Sequence, residues 1–160
     1  VARAVRAVVP AHVALGIRLS ADDWRTDGLS LDDNVAAAKA LKGEGIQYVC
    51  CSSGGVTADT RNPTTPGYNV PLAEKIRTEA GIATRAVGLI TEPAQAEQIV
   101  KGGQADLVAL ARAMLDDPHW GWRAAYRLGA TPHVPVQYQR ATLQTWQPAR
   151  KYAPTVKAAE

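Results

Sequence analysis

The feature that most constrains the fold is a short apolar run followed by an amphipathic run, an arrangement that occurs four times in succession. The apolar runs are residues 12–19, 46–52, 82–87 and 105–111. Their lengths are typical of strands, and the nearly continuous apolar character of residues 46–52 is typical of a parallel strand covered on both faces. Strands that alternate with helices at this spacing predict an α/β fold with a parallel sheet.

Start and stop signals delimit the predicted helices. Ser30 is the predicted N-cap of the first helix, with Asp33 three residues later completing a capping box, and Gly43 and Gly45 are expected to end it. Later helices are predicted to begin at Pro71, Pro93 and His119 and to end at Gly81, Gly102 and Gly129. Residues 1–9 have the pattern of the end of a further helix.

The chain length leaves two architectures open. A doubly wound sheet would be complete in 160 residues. A (β/α)8 barrel needs about 250 residues, so four strand–helix units would form half of one. Composition does not distinguish the two.

Composition and charge do limit the class of protein. A chain that is 46% hydrophobic and 21% charged is globular rather than disordered. The net charge of +3 is dispersed, and no apolar stretch approaches the roughly 20 residues that span a bilayer, so we expect neither nucleic acid nor a membrane as partner. The opening residues lack the order of a signal peptide, and the adjacent Cys50 and Cys51 are not expected to form a bridge, which favours a cytoplasmic protein.

Polar residues and glycines concentrate directly after the predicted strands, where barrels bind their ligands. Gly88, Ala111 and Arg112 could supply backbone N–H donors and a cation to a phosphate. Alternatively, the glycines only permit tight turns and Arg112 is a solvated residue at a helix start.

Arg18 lies within an apolar strand, where an arginine is rarely buried without an anionic partner. Asp22 and Asp106 are available for a structural ion pair. A role in ligand binding is the alternative.

Several ordered motifs carry a resemblance to a known family. They are residues 14–21 (ALGIRLSA), 27–30 (DGLS), 52–55 (SSGG), 66–71 (PGYNVP), 86–91 (AVGLIT), 106–112 (DLVALAR), 117–120 (DPHW) and 135–140 (PVQYQR). In these motifs the chain resembles the old yellow enzyme family of flavin-dependent ene-reductases. The nearest subgroup is the bacterial one that contains xenobiotic reductases and NADPH dehydrogenases. The resemblance covers residues 1 to about 140 without a break in order.

The resemblance implies a (β/α)8 TIM barrel that holds FMN, with this chain as its C-terminal half, strands five to eight. Residues 1–130 would form four βα units of a half-barrel, and residues 131–160 a C-terminal tail at an interface. A half-barrel has open sheet edges, so we expect a partner: an N-terminal half-barrel chain or a second copy of this chain.

The resemblance also implies roles for individual residues. Arg18 matches the arginine that contacts the pyrimidine edge of the flavin, where a cation stabilises the charge that develops on reduction. The other residues implied to bind the cofactor are Ser53, Gly54, Gly88, Ala111 and Arg112. At Ala111 the family usually has glycine, a change that retains a backbone N–H. Arg140 matches an arginine that reaches into the active site of a neighbouring subunit.

No catalytic residue of the family is expected in this half. The substrate-anchoring histidines, the proton-donating tyrosine and the redox-tuning cysteine of the family lie in the N-terminal half. We interpret His12, His119 and His133 as structural or surface residues, and their spacing predicts no metal site.

The function that the resemblance implies is that of the FMN-binding half of an oxidoreductase. NADPH or NADH would be the reductant, and a small enone with an activated C=C bond the substrate. The isolated chain is expected to be inactive. The alternative is a non-catalytic half-barrel that binds the FMN phosphate or a partner without turnover.

Overall fold

The computed structural model describes residues 1–153 and has one four-stranded sheet. The strands are β1 (Gly16–Ser20), β2 (Tyr48–Ser52), β3 (Ala83–Ala86) and β4 (Leu107–Val108). They lie in the order β1-β2-β3-β4, and each neighbouring pair is parallel. The predicted α/β fold with a parallel sheet is therefore confirmed.

Helices connect the strands and follow them. They are α1 (Ala2–Val8), α2 (Leu31–Gly43), α3 (Val70–Ala80), α4 (Pro93–Lys101), α5 (Arg112–Asp116) and α6 (Trp120–Arg127). Two 3-10 helices, Val136–Ala141 and Gln147–Tyr152, follow α6. The capping box at Ser30 and Asp33 is confirmed, and Gly81 ends α3 in the left-handed conformation with φ of 59°. The predicted end of α2 at Gly43 is also confirmed, with Glu44 as the C-cap residue.

The chain divides into two compact units. The first contains residues 1–90 and 98–110, and therefore the whole sheet. The second contains residues 91–97 and 111–153, including α5, α6 and the two 3-10 helices.

Side chains alternate between the two faces of the sheet. Val49, Cys51, Thr84 and Ala86 are buried on the face against which α3 packs, and α2 packs beside α3. The apolar side of α3, which includes Leu72 and Ile76, completes this core. The residues between these positions point to the opposite face of the sheet, which α2 and α3 do not cover, because successive side chains of a strand point to opposite sides.

All four strands are shorter than predicted, and the difference is largest for β1 and β4. β1 begins at Gly16 rather than at residue 12, because the Arg6 guanidinium binds the carbonyls of Val9, Pro10 and Val13 and holds them in a turn. The fourth strand was predicted over residues 105–111, but β4 covers only Leu107–Val108. Single ladder hydrogen bonds extend it at each end, from Asp106 N to Thr84 O (3.0 Å) and from Ala109 N to Ala86 O (2.8 Å).

Within residues 1–153, none of the helices combines the length and the apolar character needed to cross a bilayer.

Candidate functional site

Arg18 presents its guanidinium at the carboxyl end of β1 and β2. Its Nη2 donates to Ser52 Oγ at 2.8 Å, and its Nη1 lies 4.0 Å from Cys50 Sγ. Cys50 is its register partner, whereas Ser52 lies two residues closer to the carboxyl end of β2. The side chain is exposed and leans toward that end of the sheet.

The structural ion pair considered for Arg18 does not form. Asp106 instead pairs with Arg77 at 3.1 Å and accepts a hydrogen bond from Thr84 N at 2.8 Å. Asp22 accepts from Trp24 N at 2.6 Å. Over the described residues 1–153, no carboxylate pairs with Arg18, so its charge remains available to a ligand.

The loops that follow β1 and β2 are bound to each other by backbone hydrogen bonds. Ala21 N donates to Ser52 O (2.7 Å) and Gly54 N donates to Asp22 O (2.8 Å). Gly54 has φ of 59°, and a Cβ there would lie 1.7 Å from the Oδ1 atom of Asn62. Glycine is therefore required at this position for the loop to keep its path.

An ionic cluster joins the same two loops further from the sheet. Arg25 contacts Asp27 at 2.8 Å and Asp59 at 2.7 Å. Hydrogen bonds from Thr57 and Arg25 lower the pKa of Asp59 to about 2, and Asp27 and Asp59 raise the pKa of Arg25. This cluster stabilises the two loops against separation at neutral pH.

Ser53 is the centre of a buried hydrogen-bond chain. Its Oγ accepts from Trp24 Nε1 at 2.8 Å and donates to Asn69 Oδ1 at 2.6 Å. The hydroxyl is thus used within the protein, and the side chain holds the loop after β1 and residue 69 at the start of α3 against the end of β2. Ser53 is among the residues that the resemblance assigns to the cofactor, whereas Trp24 and Asn69 are not. No sequence pattern indicates this arrangement. In the structure, Trp24 has a positive φ of 54°, which is rare for a residue other than glycine.

Gly88 joins this cluster from the end of β3. Its carbonyl accepts from Gly67 N at 2.8 Å. Its φ is 121°, and a Cβ would lie 3.0 Å from both Asn69 Nδ2 and Tyr68 Cε1. Four of the predicted residues, Arg18, Ser53, Gly54 and Gly88, therefore lie together at the carboxyl end of β1 to β3.

Ala111, Arg112 and Arg140 belong to the second unit. Ala111 is the N-cap of α5, and Arg112 is the first residue of that helix, with an exposed side chain. Arg140 is exposed in the 3-10 helix Val136–Ala141. In the part of the chain that the structure describes, neither arginine side chain forms a hydrogen bond or ion pair.

The histidines show no arrangement for metal binding. His12 and His133 are exposed, and His119 packs against the rings of Trp122 and Tyr138 at 4.5 Å and 5.6 Å. In the described residues, no group of three or more His, Cys, Asp or Glu side chains could hold a metal ion.

Cys50 and Cys51 are free, as the sequence analysis expected, and both are buried. Burial raises the pKa of the Cys51 thiol to about 12. Cys51 is therefore a packing residue of the helix-covered face.

Comparisons with known proteins agree with these motifs. The family model described as NADH:flavin oxidoreductase / NADH oxidase matches residues 1–130. The chain is 48% identical over 126 residues to the NADPH dehydrogenase of Geobacillus sp. (strain WCH70), which is 79% of this chain and 37% of that protein. It is also 48% identical over 129 residues to the NADPH dehydrogenase of Halalkalibacterium halodurans, which is 81% of this chain and 38% of that protein. The chain thus spans less than two fifths of the length of these curated relatives.

Proposed function

The chain belongs to the NADH:flavin oxidoreductase / NADH oxidase family, which confirms its resemblance to the old yellow enzymes, and we propose that it is the FMN-binding half of an NAD(P)H-dependent ene-reductase. In this proposal its four strands are strands five to eight of a (β/α)8 barrel. An N-terminal half-barrel supplies the other four strands and the groups that anchor and protonate the substrate.

The observation that carries the proposal is the free charge of Arg18. A guanidinium with no carboxylate partner in residues 1–153, held by Ser52 Oγ at the carboxyl end of the sheet, suits the electron-rich edge of a flavin. Because a fixed cation at that edge stabilises the negative charge that develops on reduction, Arg18 would favour the reduced cofactor and orient its ring.

The glycines beside Arg18 shape the loops around the proposed site. Gly54 and Gly88 have backbone conformations that side chains rarely adopt, and a Cβ at either would meet the protein's own Asn62 or Asn69, so glycine holds the chain in its path at the ends of β2 and β3. Ala111 and Arg112 lie in the second unit, and the phosphate-binding role that the resemblance implies for them stays a prediction.

When bound, FMN supplies hydride transfer from NADPH or NADH to the β-carbon of an alkene conjugated to a carbonyl. This chain's own residues contribute binding and electrostatics: Arg18 orients and stabilises, and the loop held by Ser53 and Asn69 keeps the backbone in place. Arg140, exposed in its 3-10 helix, would reach a neighbouring subunit's site.

The experiment tests the chain alone and in combination. The second component is the amino-terminal portion of the NADPH dehydrogenase of Geobacillus sp. (strain WCH70), ending where the match to this chain begins. Native mass spectrometry reports which polypeptides and how many FMN molecules assemble, and reduction of cyclohexenone by NADPH reports turnover. We expect no turnover from the chain alone and both FMN and turnover in the assembly.

Variants of Arg18 test whether this residue is responsible for FMN binding and flavin reduction in the assembly. Arg18→Ala should weaken FMN affinity about 10- to 100-fold, the range for loss of a hydrogen bond to a charged group, and should slow flavin reduction. Arg18→Lys should lose less FMN affinity. The control Lys39→Gln, which removes a charge from the exposed surface of α2, should bind and reduce FMN as the wild type does. Full occupancy and an unchanged reduction rate in Arg18→Ala would refute the role. An assembly that binds FMN without reducing cyclohexenone would leave only a flavin-binding protein.

A further inference from the structure

A small aromatic cavity lies within the second unit of the chain. Its volume is about 200 Å³, and all of the residues that line it belong to that unit. Its lining includes Ala149 and five ring-bearing side chains, which are His119, Trp122, Tyr126, Tyr138 and Trp146. None of them is among the residues assigned above to FMN.

The cavity combines buried and exposed lining residues. Tyr126 and Ala149 are buried and form its floor, whereas Tyr138 and Trp146 are 46% and 49% exposed and form its rim. The rings of Trp122 and Tyr138 pack edge to face with their centroids 5.2 Å apart, so each holds the other in place. A concave site with a buried floor and aromatic walls can enclose a flat ring.

The volume of the cavity fits a ligand with one ring. An apolar cavity of about 150 Å³ accommodates benzene, whereas sites for drug-sized ligands and cofactors measure about 300–1,000 Å³. A cavity of about 200 Å³ therefore suits a six-membered ring with one small substituent and is too small for a nucleotide.

The indole N–H groups at the cavity lack the acceptors that the other two tryptophans have. Trp24 and Trp120 each donate an Nε1 hydrogen bond of 2.8 Å to another residue of the chain. Within residues 1–153, neither Trp122 Nε1 nor Trp146 Nε1 has an acceptor. Because an indole N–H can only donate, a ligand between these walls would satisfy it with an acceptor, and a carboxylate is the strongest one.

The charges at the cavity favour an anion over a cation. Among the described residues its lining contains Arg123 and His119 and no Asp or Glu. Arg123 is paired with Asp117, but Arg150, which adjoins Ala149 in the chain, forms no side-chain hydrogen bond or ion pair within residues 1–153. Aromatic walls alone would also suit a quaternary ammonium ion, but the positive charge of Arg150 would repel it.

We propose that this cavity is a binding site for a single-ring aromatic carboxylate, of which benzoate is the simplest. The ring packs against Trp122, Tyr138 and Trp146, and the carboxylate accepts hydrogen bonds from the free indole N–H groups. The positive charge of Arg150 adds to the attraction. The site goes beyond the proposed flavin chemistry and does not depend on it.

Titration of benzoate into the full chain, followed by the indole N–H signals in heteronuclear NMR spectra, tests the site. A ligand of this size is expected to bind with a Kd of about 1 mM or lower. The signals of Trp122 and Trp146 should shift and saturate. Those of Trp24 and Trp120, whose N–H groups are bonded within the protein, should shift much less and serve as an internal control.

Three analogues of benzoate separate the contributions of the ring, the charge and its sign. Cyclohexanecarboxylate keeps the carboxylate without an aromatic face, benzyl alcohol keeps the ring without the charge, and benzyltrimethylammonium reverses the charge. Each should bind at least about fivefold more weakly than benzoate, because each loses either the ring packing or the charge-assisted hydrogen bond.

Variants of Trp146 connect binding to the cavity, with the Trp122 signal as the readout. Trp146→Ala removes an aromatic wall and a donor and should weaken benzoate binding at least about tenfold. Trp146→Phe keeps the wall without the donor and should lose less. The matched control is Val136→Ala, which shortens an exposed apolar side chain of the same segment outside the cavity and should bind benzoate as the wild type does.

Several results would overturn the proposal. They are failure of the Trp122 and Trp146 signals to saturate, equal shifts of all four indole signals, or binding to Trp146→Ala as tight as to Val136→Ala. Binding of cyclohexanecarboxylate or benzyltrimethylammonium as tight as that of benzoate would reject an aromatic carboxylate as the ligand. The wild-type titrations decide the matter even if Trp146→Ala does not fold. None of these readouts uses flavin or NADPH, so a failure of FMN binding in the assembly would reject the proposed function alone.

Discussion

Removing the hydroxyl of Ser53 should destabilise the chain even in the absence of any cofactor. Ser53→Ala removes the acceptor of the Trp24 Nε1 hydrogen bond (2.8 Å) and the donor to Asn69 Oδ1 (2.6 Å) at once. Ser53 is 5% exposed and Asn69 is 1% exposed, so water cannot replace the lost donor at Asn69.

The expected loss in the free energy of unfolding follows from these two hydrogen bonds. A buried acceptor left unsatisfied costs about 1–3 kcal/mol, and the loss at the partly exposed Trp24 adds roughly 0.5–1.5 kcal/mol. We therefore expect the free energy of unfolding to fall by about 2–4 kcal/mol, a large share of the stability of a small domain.

Urea unfolding followed by far-UV circular dichroism measures this change. The control is Thr64→Ala in the same loop, which removes an exposed hydroxyl that forms no hydrogen bond to another described residue. Its free energy of unfolding should stay within about 0.5 kcal/mol of the wild-type value. A loss in Ser53→Ala no larger than in this control would refute the reasoning. Because both hydrogen bonds of Ser53 are internal, the folded fraction of Ser53→Ala should still bind FMN in the assembly described above.

Three further predictions concern the cap, the acid range and the buried thiol. Ser30→Ala should lower the free energy of unfolding by about 1 kcal/mol through loss of the N-cap, and a thermal melt indistinguishable from that of the wild type would contradict this. The pKa of Asp59 is lowered to about 2. The stability that its carboxylate contributes should therefore be complete above the ordinary pKa near 3.8 and should be lost as the pH falls through 2. An NMR titration of the Asp59 carboxyl with its midpoint near 3.8 would contradict this prediction. Arg25→Gln should move that midpoint upward. Cys51, with a thiol pKa of about 12, should resist iodoacetamide at pH 8 until urea is added, and peptide mapping of alkylation in the folded chain checks this.

Local signals in the sequence predicted the order and type of the elements. The capping box at Ser30 and the glycine that ends α3 depend on residues within a few positions of each other, so a reader of the sequence can recognise them. The alternation of strands and helices predicted the parallel sheet because a parallel connection needs a crossover, which a helix provides.

Polar pairing was harder to predict. The aspartate at position 106 was a possible partner of Arg18, but it binds Arg77, 29 positions away, and the backbone of Thr84. The bonds of Ser53 to Trp24 and Asn69 span 29 and 16 positions. Such pairs depend on which strands and loops the fold brings together, and many polar residues in the sequence are equally plausible candidates.

The sequence by itself determined the α/β class, the family and the positions of the residues at the strand ends, because these depend on local pattern and on motifs in a set order. Only the tertiary structure decided which side chains share a face. Register places Arg18, Cys50 and Arg85 side by side across three strands, and a slip of one residue would turn each to the opposite side of the sheet. The free charge of Arg18 is therefore a property of the assembled sheet, since it depends on which groups the other strands bring within hydrogen-bonding distance.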